Sequence, residues 1–363
     1  MTAPPNAALS APVAAALGPR PLAGAHSGTS DGVWTAAWRR LAMDRIGLAS
    51  MAVVALFVGL VLLAATGQVA SGWQQEVGVS NAPPTWLGPQ PAENIGAIAS
   101  PKGPNVDLSD IDPLAPRYAE WAQRAQAFKT EVGVKAETLP LGGDRLGRDV
   151  LAKVIKGAEV SIVVGLAAAV VATLIGTLLG AVSGYFGGRI GDLLEWVYNV
   201  FTAIPSILLI FAFAAIFHRG VGSVVWILAL TGWTGIYRLI RAEFIKHRVR
   251  EYVRAAEAIG ASQASRMFRH ILPNVSHVAL VQLSLHVVAF IKSEVILSYL
   301  GLGVGVDQVS WGTMLAEAQS ELILGYWWQL AAVTACMAIF VTAFALFTDA
   351  LRDALDPKLR GLE

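Results

Sequence analysis

Apolar residues in this chain gather into six long runs separated by polar stretches, and the runs predict its architecture. A helix needs roughly 20 apolar residues to cross the hydrocarbon core of a bilayer. Runs of that kind fall at about residues 46–66, 160–183, 193–217, 221–240, 275–297 and 326–348. Pro205, near the middle of the third, predicts a kink. Trp327 and Trp328 at the start of the sixth predict an anchor at the headgroups. The predicted fold is all-α, a polytopic transmembrane helical bundle of six spans. A long extracytoplasmic segment, residues 67–157, separates the first two.

The polar stretches differ from one another. Residues 1–30 are rich in Ala, Pro and Gly and read as a disordered tail, not a signal peptide. In residues 31–45, Trp34, Trp38 and Leu41 share one helix face while Arg39, Arg40 and Arg45 supply cations. That pattern fits an amphipathic juxtamembrane helix contacting membrane lipid, or a plain flank. Residues 81–116 are broken by prolines. Tyr118, Trp121, Ala125 and Phe128 predict a short helix over 118–132. Residues 351–363 form a short polar tail.

Composition supports the membrane reading, since 55% of the 363 residues are hydrophobic and only 15% are charged. The net charge of +1 is uninformative, but its placement is not. Arg238, Arg241, Lys246, Arg248, Arg250, Arg254, Arg266 and Arg269 cluster over the last turn of the fourth run and the interval after it. Arg39, Arg40 and Arg45 flank the first run, and Arg352, Lys358 and Arg360 follow the last. Six spans place these groups on one side, which the positive-inside rule makes cytoplasmic, together with both termini. Cys336 is the single cysteine, so no disulfide forms within the chain.

Catalytic chemistry is not apparent. The chain lacks GxxxxGK[ST], HExxH and any cysteine cluster. His277 and His286, nine apart, do not match the i, i+4 spacing of a helical metal site. No catalytic, cofactor-binding or metal residue is assigned, and nothing points to nucleic acid. An ion-coupled carrier would carry ionisable groups inside its spans. Here acidic residues and lysines lie within a run only at Glu195, near one end of the third, and at Lys292 and Glu294, towards the outer end of the fifth; Arg238 belongs to the last turn of the fourth. Pro205, Lys292 and Glu294 are the candidates for a solute path; the alternative for the charged pair is snorkelling at the interface. Gly176, Gly180 and Gly184 predict close helix packing.

The polar interval 251–274 stands between two spans. Tyr252, Ala255, Ala256 and Ile259 predict a helix with one apolar face, ended by Gly260. Ser262 can cap a second short helix over 263–270, with Met267, Phe268 and Ile271 as apolar knobs. Pro273 suits the first turn of the fifth span. The product is helix, turn and short helix projecting from the membrane; the alternative is an amphipathic loop resting on the headgroups.

This interval resembles the EAA motif of ABC importer permeases: EAA, three residues, Gly, nine residues, I-x-L-P. Ala255, Ala256, Gly260, Leu272 and Pro273 match, Arg254 stands where the motif has its leading glutamate, and His270 replaces the isoleucine. LGGDRLGRDV at 141–150, SYLGLGV at 298–304, SWGTMLAEA at 310–318 and DALRDALDPKLR at 349–360 resemble the C-type subunit of the dipeptide/oligopeptide/nickel branch. Val306, Asp307 and Gln308 stand where related chains often have prolines.

The resemblance implies a permease core over 158–350 that pairs with a B-type permease as a heterodimer. Two ATPase subunits would carry ATP and Mg, and an extracytoplasmic binding protein would deliver solute. It implies that Ala255, Ala256, Glu257, Gly260, Ala261, Ser262, Gln263, Ser265, Arg266, Met267, Phe268, Leu272 and Pro273 couple to an ATPase. The implied location is the bacterial inner membrane and the implied cargo is di- or oligopeptides, with nickel or another small solute as the alternative. A channel, an ion-coupled carrier or a non-transporting scaffold are the readings from other classes.

Overall fold

The computed structural model describes residues 39–89, 112–127, 135–305 and 307–355. The 1–30 tail, Trp34 and Trp38, Phe128, Val306 and residues 356–363 lie outside them. The described residues form α1 (Arg45–Ala65), α2 (Tyr118–Ala127), α3 (Val150–Phe186), α4 (Gly188–Ala203), α5 (Ser206–Ile216) and α6 (Val221–Arg248). They continue with α7 (Glu251–Ala258), α8 (Gln263–Tyr299), α9 (Trp311–Ile323) and α10 (Trp328–Leu355).

Helices α1, α3, α6, α8 and α10 are each long and apolar enough to cross a membrane, and the α4–α5 pair supplies a sixth crossing if counted as one span. That pair corrects the kink expected at Pro205, because the two helices meet at 92°. Ile204 is extended, at φ −98° and ψ 131°, as the ring of a following proline requires. The helix therefore stops, and a new one starts at Ser206. Helices elsewhere outrun the apolar runs: α3 begins ten residues earlier, at Val150, and α6 continues through its basic end to Arg248.

Helix α3 is central. Between apolar helices in lipid, van der Waals fit is the main attraction, so small residues mark the closest contacts. A Cβ added to Gly176 would lie 2.1 Å from Ile236 Cγ2, one at Gly180 2.7 Å from Tyr237 O, and one at Gly184 2.6 Å from Arg241 O. Both sequences advance in the same sense along this seam, so α3 and α6 run parallel. The glycine series thus does what its spacing predicts. Helix α8 runs antiparallel to α3, with Gly165 against Ile291 and Ala181 clustered with Val275. Helices α1 and α10 flank the bundle antiparallel, with Phe57 between Trp311 and Phe340 and Gly47 against Ala350.

The bundle has two ends. At the loop end lie α7 and the turn into α8, with both flanks of the described chain nearby, Leu41 clustering with Ala354. At the other, cap end, the two sides of the long segment after α1 pair with each other. Bridges join Glu76 to Arg148, Gly78 to Ala136, Pro84 to Leu139 and Gly143 to Asp149. Trp328 lies under this cap, 3% exposed, its indole N–H donating to Gly143 O at 2.8 Å. It is a buried support and not the headgroup anchor expected; Trp327 beside it is exposed.

Candidate functional site

The loop-end site starts where α6 ends. Helix α7 closes with a Schellman pair: Ala261 N–H donates to Ala256 O at 3.0 Å and Gly260 N–H to Glu257 O at 2.9 Å. This geometry needs the left-handed backbone that Gly260 adopts, at φ +85°. Ser262 then caps the next helix, its Oγ accepting from Ser265 N–H at 3.2 Å. Glu257 and Arg266 pair across the turn at 2.5 Å, and the Arg266 guanidinium lies 6.0 Å from the centre of the Tyr185 ring.

Two details differ from the sequence reading. The buried face of α7 is Val253 and Ala256; Tyr252, Ala255 and Ile259 are exposed, with Ile259 85% so. Neighbours decide this, since Val253, Met267 and Ile271 close over Ile236, Ile240 and Phe244 of α6. In addition, no separate short helix precedes the span. Helix α8 is continuous from Gln263 to Tyr299, with π-helical bonding over Arg266–Ile271. Pro273 sits inside this helix and has no N–H to donate. The wider turn accommodates it, with Leu272 N–H reaching back to Met267 O.

The expected coupling residues therefore divide. Met267 and Ala256 are buried. Ala255, Glu257, Gly260, Ser262, Gln263, Phe268 and Pro273 are exposed; Ala261, Ser265, Arg266 and Leu272 are half-buried. Ile259, absent from the expected set, is the most exposed large apolar side chain of the loop. Arg254 is exposed on the same helix.

The proposed path residues are not brought together. Pro205 is exposed at the α4–α5 break and Lys292 is exposed on α8. Glu294 is fully buried. Ser161 and Ser298 each donate to its carboxylate at 2.6 Å, and Trp311 N–H donates to Ser161 Oγ at 3.2 Å. Glu294 thus binds α3, α8 and α9 together within this subunit.

A second polar centre was not foreseen. At the cap end, Lys153 is fully buried, its ammonium 2.7 Å from Asp144 Oδ2, 2.5 Å from Glu317 Oε2 and 3.4 Å from Gln329 Oε1. Arg148 Nε also reaches Asp144, at 2.6 Å. Burial alone raises the Asp144 carboxyl, but Lys153, then the Arg148 N–H and guanidinium, hold it below its usual value. Glu321 accepts from Arg145 N–H at 3.0 Å, yet burial holds its carboxyl above the usual value. The signal lies in the stretches 141–153 and 310–318, where the acidic Asp144 and Glu317 complement the basic Arg148 and Lys153. Lys153 precedes the apolar run of the second span, so hydropathy does not mark it as buried.

At the loop end, α3, α4 and α6 share another set. Tyr237 OH lies 2.9 Å from Ser183 Oγ, and Arg241 Nε lies 3.0 Å from Ser183 Oγ and 3.2 Å from Glu195.

Comparison with known proteins places this architecture. The family described as the inner membrane component of binding-protein-dependent transport systems matches residues 176–361. The oligopeptide transport system permease protein OppC of Bacillus subtilis is 37% identical over 219 residues, which cover 60% of this chain and 72% of that protein. The glutathione transport system permease protein GsiD of Escherichia coli is 36% identical over 222 residues, covering 61% and 72%. The dipeptide transport system permease protein DppC of Lactococcus lactis is 26% identical over 322 residues, covering 89% and 90%. Such chains are permease subunits, not enzymes, and ATP hydrolysis belongs to partner subunits of the importer. By the extent of the family match and its likeness to OppC, this chain belongs to the inner membrane components of binding-protein-dependent transport systems, as an ABC importer permease subunit.

Proposed function

We propose that this chain is the C-type permease of a peptide importer and that its 251–274 loop seats in a cytoplasmic ATPase. A B-type permease would complete the solute path, a second ATPase would dock on that partner, and an extracytoplasmic binding protein would deliver cargo. The carrying observation is Ile259, which stands 85% exposed at the loop tip while Val253, Met267 and Ile271 lock the loop beneath it. An apolar side chain held rigidly amid arginines fits a pocket in a soluble partner. The basic loop end is cytoplasmic on this reading, because Arg248, Arg250, Arg254, Arg266 and Arg269 collect there. Peptide cargo is favoured by the relatives, whose names specify oligopeptides, dipeptides and glutathione. Mg-ATP turnover on the docked subunits would drive the switch between inward and outward openings.

The test is co-purification from membranes of cells expressing the whole system. Ile259→Glu is expected to release the ATPase while the permease inserts in normal amount. Retention of the ATPase at wild-type stoichiometry would refute the docking role.

A further inference from the structure

A cavity of about 320 Å³ opens between α4, α6 and α8, lined by Tyr198, Thr234, Gly235, Arg238, Leu239 and Gln282. Arg238 and Gln282 face it from antiparallel helices. Each lies ten residues from the loop end of its helix segment, at Arg248 and Leu272, or about 15 Å along the axis. Arg238 is exposed in this subunit and has no hydrogen-bond or ion-pair partner among the described residues. The nearby Glu195 is already taken by Arg241. The wall is firm, since Tyr198 stacks on Tyr237 at 5.2 Å and Phe201 packs edge-on against Trp233 at 5.4 Å.

This face cannot be lipid-facing. Ala203, Ile204, Pro205 and Ser206, at the 92° break between α4 and α5, are exposed on the subunit. Irregular backbone at membrane depth is stable only when covered by protein or lining a water-filled cavity. An unpaired guanidinium in a span carries the same requirement and marks a functional position. Its planar fork matches a carboxylate with two parallel hydrogen bonds. Gln282, Thr234 and Tyr198 add neutral polar groups around it.

We infer that Arg238 and Gln282 form an anion-selective station on the solute path that receives the carboxylate of the transported solute. The inference deepens the peptide-importer reading and rests on it for the identity of that carboxylate, the C-terminus of the cargo. A volume near 320 Å³ is large enough to hold the C-terminal end of a peptide.

Two measurements on the assembled transporter test it. In proteoliposomes, uptake of trialanine is compared with that of trialanine amide, using the same binding protein for wild type and Arg238→Gln. The preference for the acid is expected to fall about tenfold in the variant, the scale of one lost charge-assisted hydrogen-bond pair. An unchanged acid-to-amide ratio overturns the inference. So does separation of the two permeases in the variant, which would assign the guanidinium to a carboxylate of the partner.

The second measurement is independent of cargo. In a Cys336→Ala background, Gln282→Cys is reacted with the anionic sulfonatoethyl and the cationic trimethylammonioethyl methanethiosulfonates. The anionic reagent is expected to react several-fold faster, and Arg238→Gln is expected to erase that preference. No reaction, or no preference, overturns the station. If wild type imports neither peptide while the labelling preference holds, the anion station stands and the peptide reading fails.

Discussion

The two ends of the bundle handle charge in opposite ways. At the cap end Lys153 and Asp144 are fully buried and paired, with Arg148, Glu317 and Gln329 around them. In the 251–274 loop at the other end Glu257, Arg254 and Arg269 are exposed, and what is buried is apolar: Val253, Ala256, Met267 and Ile271. A buried ion cluster holds fixed parts together, because removing one member leaves uncompensated charge in a dry site. An exposed charged surface over an apolar clamp leaves its polar groups available to a partner. The cap end is built to stay closed on itself, and the loop end to be gripped.

The largest effect should come from Lys153→Met. It strands Asp144 and Glu317 and is expected to cost about 3–5 kcal/mol, read as a fall in the thermal unfolding midpoint of the purified protein. A midpoint within error of wild type would mean that the cluster does not hold the cap. Gly260→Ala should be milder. A Cβ there meets no atom within 4 Å, so only the left-handed backbone resists it, by about 1–2 kcal/mol. Faster amide exchange confined to 251–262 is the expected readout; exchange spreading through α6 would show that the turn is not an independent element.

Acid sharpens the contrast further. Asp144 titrates below its usual value when folded, so its contribution is complete above about pH 5 and is lost as pH falls below about 4. Glu321 is shifted upward, so it favours the folded cap at low pH and loses that contribution as pH rises through its folded value. Glu321→Gln keeps an acceptor for Arg145 N–H and should slightly raise stability at neutral pH. Exchange of the 139–149 amides, corrected for intrinsic rate, should quicken below about pH 4, whereas the loop-end amides should not. The smallest effect is expected for Glu257→Gln, about 1 kcal/mol or less, because the carboxylate of this pair is exposed. A loss matching that of Lys153→Met would abolish the distinction between the ends.

The sequence discloses these regions unequally. The long apolar helices, the glycine seam and the Gly260 turn each rest on local periodicity or backbone preference, and the structure contains them: five helices long enough to cross, with a sixth crossing if the α4–α5 pair counts as one span. Pro205 shows the limit of local reading: proline signals disruption, but neighbouring helices decide between a kink and a 92° break. Ile259 was given to a buried stripe because periodicity cannot say which side of a short helix has a neighbour. Lys153 and Glu317 meet across 164 residues of chain, and no spacing rule spans that distance. Trp328 obeyed an interfacial preference in the sequence but found Gly143 in the fold.

The unbroken helix from Gln263 to Tyr299 has a mechanical consequence. At 1.5 Å per residue its 37 residues form a rod about 55 Å long. One tip is the capped turn at Ser262, and near the other Ser298 and Glu294 are bolted to α3 and α9. A tilt of only about 5° about one tip sweeps the other through roughly 5 Å, close to one helical turn of about 5.4 Å. The π-bonded turn around Pro273 is where such a rod would flex, so the sequence sets both its length and its point of compliance.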